Sequence, residues 1–160
     1  MRFEPIPLTG GFLIHLDPRT DQRGTFARAF CAQDFTANGL ESVFVQANVS
    51  SNTRAGTVRG MHFQREPHAE VKLVRCTKGA IYDVVVDMRD GSPTQYRWFG
   101  AELSEQNGLA MYVPKGFAHG YQALSDGHLD ASAFDRGMLV AARAARARRY
   151  RPPVGSPSSS

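Results

Sequence analysis

Short apolar runs, broken by glycine, proline and asparagine, fill the chain from its start to about Leu124. FLIHLDP (12–18), SVFVQANVS (42–50), VKLVRCTKG (71–79), AIYDVVVDM (80–88), TQYRWFGAELS (94–104) and LAMYVP (109–114) carry the β-branched and aromatic residues of strands. VKLVRC and YRWFGAEL alternate, the pattern of a strand with two unlike faces. IYDVVVD is a more continuous apolar run, which predicts a strand covered on both faces. TKG, RDGSP, EQNG and PKG supply turns between the runs. Short strands at this spacing predict an all-β antiparallel sandwich or barrel, in particular a jelly roll. AQDFTANGL (32–40) is the one early helical candidate, brief and ended by Gly39.

After Ser125 the pattern changes. HLDASAFDRGMLVAARAARARRYRPPVGSPSSS has few strand formers and many Ala and Arg, and it closes in Pro, Gly and Ser. MLVAARAARARRY has helix-forming composition but no apolar stripe, and PPVGSPSSS reads as disordered. The expected division is a β domain over 1–126 and an atypical tail, helical or disordered, over 127–160.

Charge follows the same division. The formal net charge is +4, yet Arg136, Arg143, Arg146, Arg148, Arg149 and Arg151 lie in the final segment, which has no carboxylate after Asp135. Without those six arginines the body is slightly acidic, so nucleic acid is not an expected partner. No apolar run approaches the roughly 20 residues that span a bilayer, and MRFEPIPLTGG lacks a signal-peptide apolar segment. Cys31 and Cys76 are too few for a disulfide scaffold and read as free thiols in a reducing compartment. The expected location is the cytoplasm, away from membranes.

The chemistry concentrates in two stretches. GTVRGMHFQ (56–64) sets Arg59, His62 and Gln64 into a strand, and VPKGFAHGYQ (113–122) sets His119 into a similar one. Alternation predicts Val58, Gly60, His62 and Gln64 on one face and Arg59, Met61 and Phe63 on the other. Lys72 shares a face with Val74 and Cys76. Two readings compete. In a metal-dependent cupin, two histidines one residue apart join a glutamate and a distant histidine; here Gln64 breaks the pair. Glu66, Glu70 or His68 would then have to join His62 and His119, a weak donor set against the usual three firm ligands. In the metal-free reading, His62 is a neutral base, and Lys72 or Arg59 meets the negative charge that forms on a carbonyl oxygen. Arginines that clamp phosphates favour a nucleotide-diphosphate substrate, with Arg23, Arg59 and His119 as candidates.

DQRGTFARAF, VQANVSSN, GTVRGMHFQREPHAEVKLVRCTKGAIYDVVVDMRDGSPT and YVPKGFAHGYQALSD occur in this order over about residues 1–126. Together they resemble the cupin-fold dTDP-4-dehydrorhamnose 3,5-epimerases. The resemblance implies a cofactor-free, metal-free isomerase acting on a nucleotide-linked 4-keto-6-deoxyhexose in deoxysugar synthesis. It implies that His62 is the base and that Lys72 steadies the enolate, while Arg23, Gln46, Asn48, Arg59 and His119 hold the sugar nucleotide. Asp83 belongs near His62 in such a fold, although by periodicity it reads equally as a core acid. The family also implies a homodimer in which a segment such as residues 1–30 completes the partner's site.

The departures are specific. The position at which the family carries its proton-returning tyrosine falls at Ser132, and no acid beyond Asp135 matches the late aspartate that orients the histidine. Arg28 stands where many members have glutamate. A histidine without its orienting carboxylate loses much of its catalytic power, so the expected activity is severely reduced. The Ala- and Arg-rich tail has the composition of a shifted reading frame, expected to begin between Asp126 and Ala133. A non-catalytic sugar-nucleotide-binding cupin is the alternative in another class.

Overall fold

The computed structural model describes residues 1–126 and 128–134. The chain runs through β1 (Arg2–Pro5), β2 (Phe12–His15), β3 (Arg19–Asp21), β4 (Gly24–Phe26) and α1 (Ala32–Ala37). It continues through β5 (Gln46–Asn52), β6 (Val58–His62), β7 (Lys72–Lys78), β8 (Ala80–Asp87), β9 (Trp98–Ser104), β10 (Ala110–Val113), β11 (Phe117–Ala123) and β12 (His128–Phe134). All pairings are antiparallel. One sheet has six strands in the order β1-β2-β10-β7-β12-β5, a second has four in the order β6-β11-β8-β9, and β3 and β4 form a separate hairpin. This is the expected jelly roll. The tail from 135 onward, and with it the helical segment expected there, lies outside the described residues.

Two apolar clusters flank the six-stranded sheet. Between the sheets lie Ile6, Leu8, Val74, Cys76, Ile81, Val85, Leu103, Met111 and Val113. On the outer side, Ile14, Val71, Leu73, Ala110 and Tyr112 gather around Phe35, which α1 delivers into full burial. A six-residue helix is too short to persist alone. Rings of Phe3, Phe30, Phe44 and Tyr112 packed around Phe35 hold it.

Burial reverses one expectation. β8, the continuous apolar run, alternates strictly: Ile81, Asp83, Val85 and Asp87 are buried, while Tyr82, Val84 and Val86 are only half-buried. The outer residues line an open apolar cleft with Trp98, Met61 and Val58. β7 is the strand covered on both sides, with Val74 and Cys76 in one cluster and Leu73 in the other. Composition did not separate the two cases because both strands are rich in valine.

β12 lies between β7 and β5, although the sequence places it in the tail. Ser132 stands level with Val74 on β7 and Asn48 on β5. Two residues along β8 from Val85, the register partner of His119, buried Asp87 accepts from Arg89 Nη2 (2.7 Å), Ser92 Oγ (2.5 Å) and Thr94 Oγ1 (2.6 Å). Burial pushes its carboxyl up, but these donors outweigh that and hold it well below the usual range. The knot ties down the loop from β8 to β9.

Candidate active site at the open edge between the sheets

β6 and β11 pair with an irregular register. His62 is opposite His119 and Arg59 is opposite Tyr121, so three steps along β6 match two along β11. The extra residue is a bulge. Gly60 adopts φ +104°, and a Cβ there would lie 2.6 Å from Gly120 Cα and 2.7 Å from the carbonyl oxygen of His119. Only glycine lets the strands approach this closely. The bulge corrects the simple alternation: His119 and Tyr121 share a face of β11, so their partners His62 and Arg59 also share one. The signal was the isolated glycine inside each strand.

His119 and Asp83 form a buried pair. Nε2 of His119 lies 2.7 Å from Oδ1 of Asp83, and the two residues are 8% and 0% exposed. Asp83 and His119 are diagonal neighbours across the β8–β11 ladder, on the barrel side. Oδ2 of Asp83 is buried with no hydrogen-bond partner among the described residues.

His62 ends β6 and is exposed. Its pKa is nevertheless lowered, first by partial desolvation and then by the charges of His119, Lys72 and Arg59. Both effects disfavour the imidazolium. At neutral pH His62 is therefore an uncharged imidazole beside cations. Among the described residues no carboxylate contacts it.

Lys72, the first residue of β7, is buried and ion-paired with buried Glu70, and Gln64 Nε2 donates to Glu70 Oε1 at 3.3 Å. Glu70 is thus engaged by an ammonium. Among the described residues no three His, Cys, Asp or Glu side chains converge as a metal donor set.

The third wall comes from β5. Ser50 Oγ and Asn52 Nδ2 each lie 2.9 Å from the Tyr121 hydroxyl, and Arg59 Nε donates to Asn52 Oδ1 at 2.6 Å. Gln46 and Asn48 alternate in phase with Ser50 and Asn52, so they continue the same face of β5. Tyr121, Asn52 and Ser50 were not singled out in the sequence; only their neighbours in VQANVSSN and AHGYQ carried a signal. Arg23 is not brought into this group. It sits on the β3–β4 hairpin with its side chain 90% exposed, bonded to Asp21. Arg28 is likewise exposed.

The assembly is a neutral base, several fixed cations and a row of amide and hydroxyl groups around an open mouth. It can hold an anionic, oxygen-rich ligand and move a proton at a carbon acid. Residues 5–134 match the family model described as dTDP-4-dehydrorhamnose 3,5-epimerase. The chain belongs to this family. It is 47% identical over 124 residues to the dTDP-4-dehydrorhamnose 3,5-epimerase of Sinorhizobium fredii, covering 78% of this chain and 64% of that one. It therefore spans slightly less than two thirds of that curated relative. The crystal structure of the epimerase from Bacillus anthracis, with TDP and PPi bound, is 38% identical with a TM-score of 0.83, covering 86% of this chain and 79% of that one. The Legionella pneumophila epimerase in complex with dTDP-4-keto-L-rhamnose is 33% identical with a TM-score of 0.81, covering 86% of this chain and 73% of that one. The family match continues past Asp126 to Phe134, through the end of β12.

Proposed function

We propose that this chain binds a nucleotide-linked 4-keto-6-deoxyhexose in the mouth beside β6 and β11 and removes a proton from a carbon next to the ketone. Neutral His62 is the base. Lys72 meets the enolate oxygen, and His119, held by Asp83, adds a second donor there. Arg59, Gln46 and Asn48 hold the sugar nucleotide. The observation that carries this reading is that His62 stands opposite His119 across β6 and β11, near enough to Lys72 and Arg59 for their charges, after desolvation, to help hold its pKa down. A base must be unprotonated to act, and the charge it creates must be met at once. The bound TDP and dTDP-4-keto-L-rhamnose named for the two relatives support the substrate class.

Arg23 fits this reading in a homodimer, where the exposed hairpin of one subunit reaches the mouth of the other. Free Cys31 and Cys76 agree with a cytoplasmic enzyme.

Complete epimerisation needs a proton returned from the opposite face. With serine at position 132, the chain exchanges protons faster than it inverts carbons. The test is incubation with dTDP-4-keto-6-deoxyglucose in heavy water. Deuterium at C3 or C5, lost in His62→Asn, supports the reading. Tight nucleotide binding without any label overturns it and favours a non-catalytic binding cupin, a reading that draws on His62 meeting no carboxylate among the described residues.

A further inference from the structure

We infer that Glu70 is a positioning residue of this site, which fixes the Lys72 ammonium and braces it to the His62 strand through Gln64. The inference rests on the proposed reaction, in which Lys72 meets the enolate, and it assigns a task to a side chain otherwise read as a spare metal ligand.

Three observations converge. First, Glu70 and Lys72 have side chains only 6% and 10% exposed, and they are paired with each other. An ammonium removed from water holds its proton poorly unless a counter-charge compensates the lost hydration. Second, the described cations near this corner are numerous: Arg59 and Lys72 both act on His62, as does His119. Glu70 is the carboxylate that meets Lys72, whereas Asp83 is spent on His119. Third, Gln64 Nε2 reaches the same Oε1 atom that Lys72 uses. Gln64 is two residues beyond His62 and Glu70 is two before Lys72. A single carboxylate oxygen therefore links the segment carrying the base to the strand carrying the cation.

Glu70 thus fixes where the Lys72 ammonium points and supplies it with a counter-charge.

Glu70→Gln removes the charge and keeps the shape. The direct readout is competitive acetylation of lysines with trace acetic anhydride across pH, quantified for the Lys72 peptide by mass spectrometry. The midpoint for Lys72 should fall by about one pH unit or more, since the paired carboxylate charge is gone while burial and the neighbouring cations remain. Deuterium exchange should fall by about tenfold or more, with its basic limb moved to lower pH and dTDP affinity nearly unchanged. Glu70→Asp should recover part of both. Should Glu70→Gln fail to fold, Gln64→Leu serves instead, with a smaller shift in the same direction. An unmoved Lys72 midpoint in a folded variant overturns the inference. Absence of exchange in the parent chain counts against the proposed reaction alone, because the acetylation profile still reports on the pair.

Discussion

Asp83 Oδ1 lies 2.7 Å from His119 Nε2, while among the described residues His62 touches no carboxylate. The oriented imidazole and the accessible imidazole are thus different residues, set opposite each other across β6 and β11. Asp83 fixes which nitrogen of His119 carries a proton toward it, leaving the other nitrogen for the mouth. His62 keeps freedom of rotation, which suits an encounter with substrate but weakens its alignment.

Asp83→Asn should therefore harm stability and binding together. The amide can still meet His119, but the anion is gone, and one amide group must fit where Oδ2 has no partner now. A cost of about 1–3 kcal/mol is expected for a disturbed buried pair, measured by chemical denaturation. Weaker dTDP binding by calorimetry should accompany it.

The pH dependence of exchange follows from the direction of the His62 shift. Its pKa lies below the ordinary 6.5, so the base form is already dominant at pH 7 and activity should fall only at more acidic pH. Lys72→Met removes one of the charges that disfavour the imidazolium, so the His62 midpoint, followed by NMR of its ring protons, should rise. Stability obeys the same sign. The unfolded chain binds more protons between the lowered value and 6.5, so this contribution is complete above 6.5 and is lost as pH falls through the folded value.

Gly60→Ala should damage the site from behind. A methyl at this position meets Gly120 Cα at 2.6 Å, and the backbone φ of +104° is strained for any L side chain. Overpacking alone costs about 1–3 kcal/mol. The measurable outcome is a lower denaturation midpoint, together with shifted ring resonances of His62 and His119, since the bulge sets their register.

Ser132→Tyr is the gain-of-function test. Position 132 is level with Asn48 and Val74 in the six-stranded sheet, the place where the family resemblance expects its tyrosine. Restoring a phenol there should raise the ratio of inverted product to deuterium exchange, read by NMR of the sugar protons. A ratio that stays flat would argue that the lack of a carboxylate against His62 among the described residues limits the chain.

Strand positions were legible because β-branched runs and turn residues punctuate the first 124 residues, and the histidines and Lys72 announced themselves against that background. Three features were not legible for definite reasons. The bulge at Gly60 cancels a period-two reading of GTVRGMHFQ, so Arg59 appeared to face away from His62. Glu70 read only as a candidate in a weak metal donor set, because its partner Lys72 lies two residues on, at the buried start of β7. Residues 128–134 form a strand although HLDASAF has weak strand propensity, because two neighbouring strands supply its hydrogen bonds. The expected frame change between Asp126 and Ala133 overlaps this strand, and reading the gene across residues 120–140 decides it.

The order of synthesis differs from the order in the sheet. β5 leaves the ribosome well before β12, yet among the described residues of the six-stranded sheet β12 is its only ladder neighbour. Until that late strand slots between two earlier ones, the amide-bearing wall is tied to the rest only through the side-chain bonds of Ser50 and Asn52 to Tyr121 and Arg59, with its ladder unformed. A lesion that delays or deletes that strand strips β5 of its ladder and leaves the pairing of β6 with β11, which carries the histidines, in place.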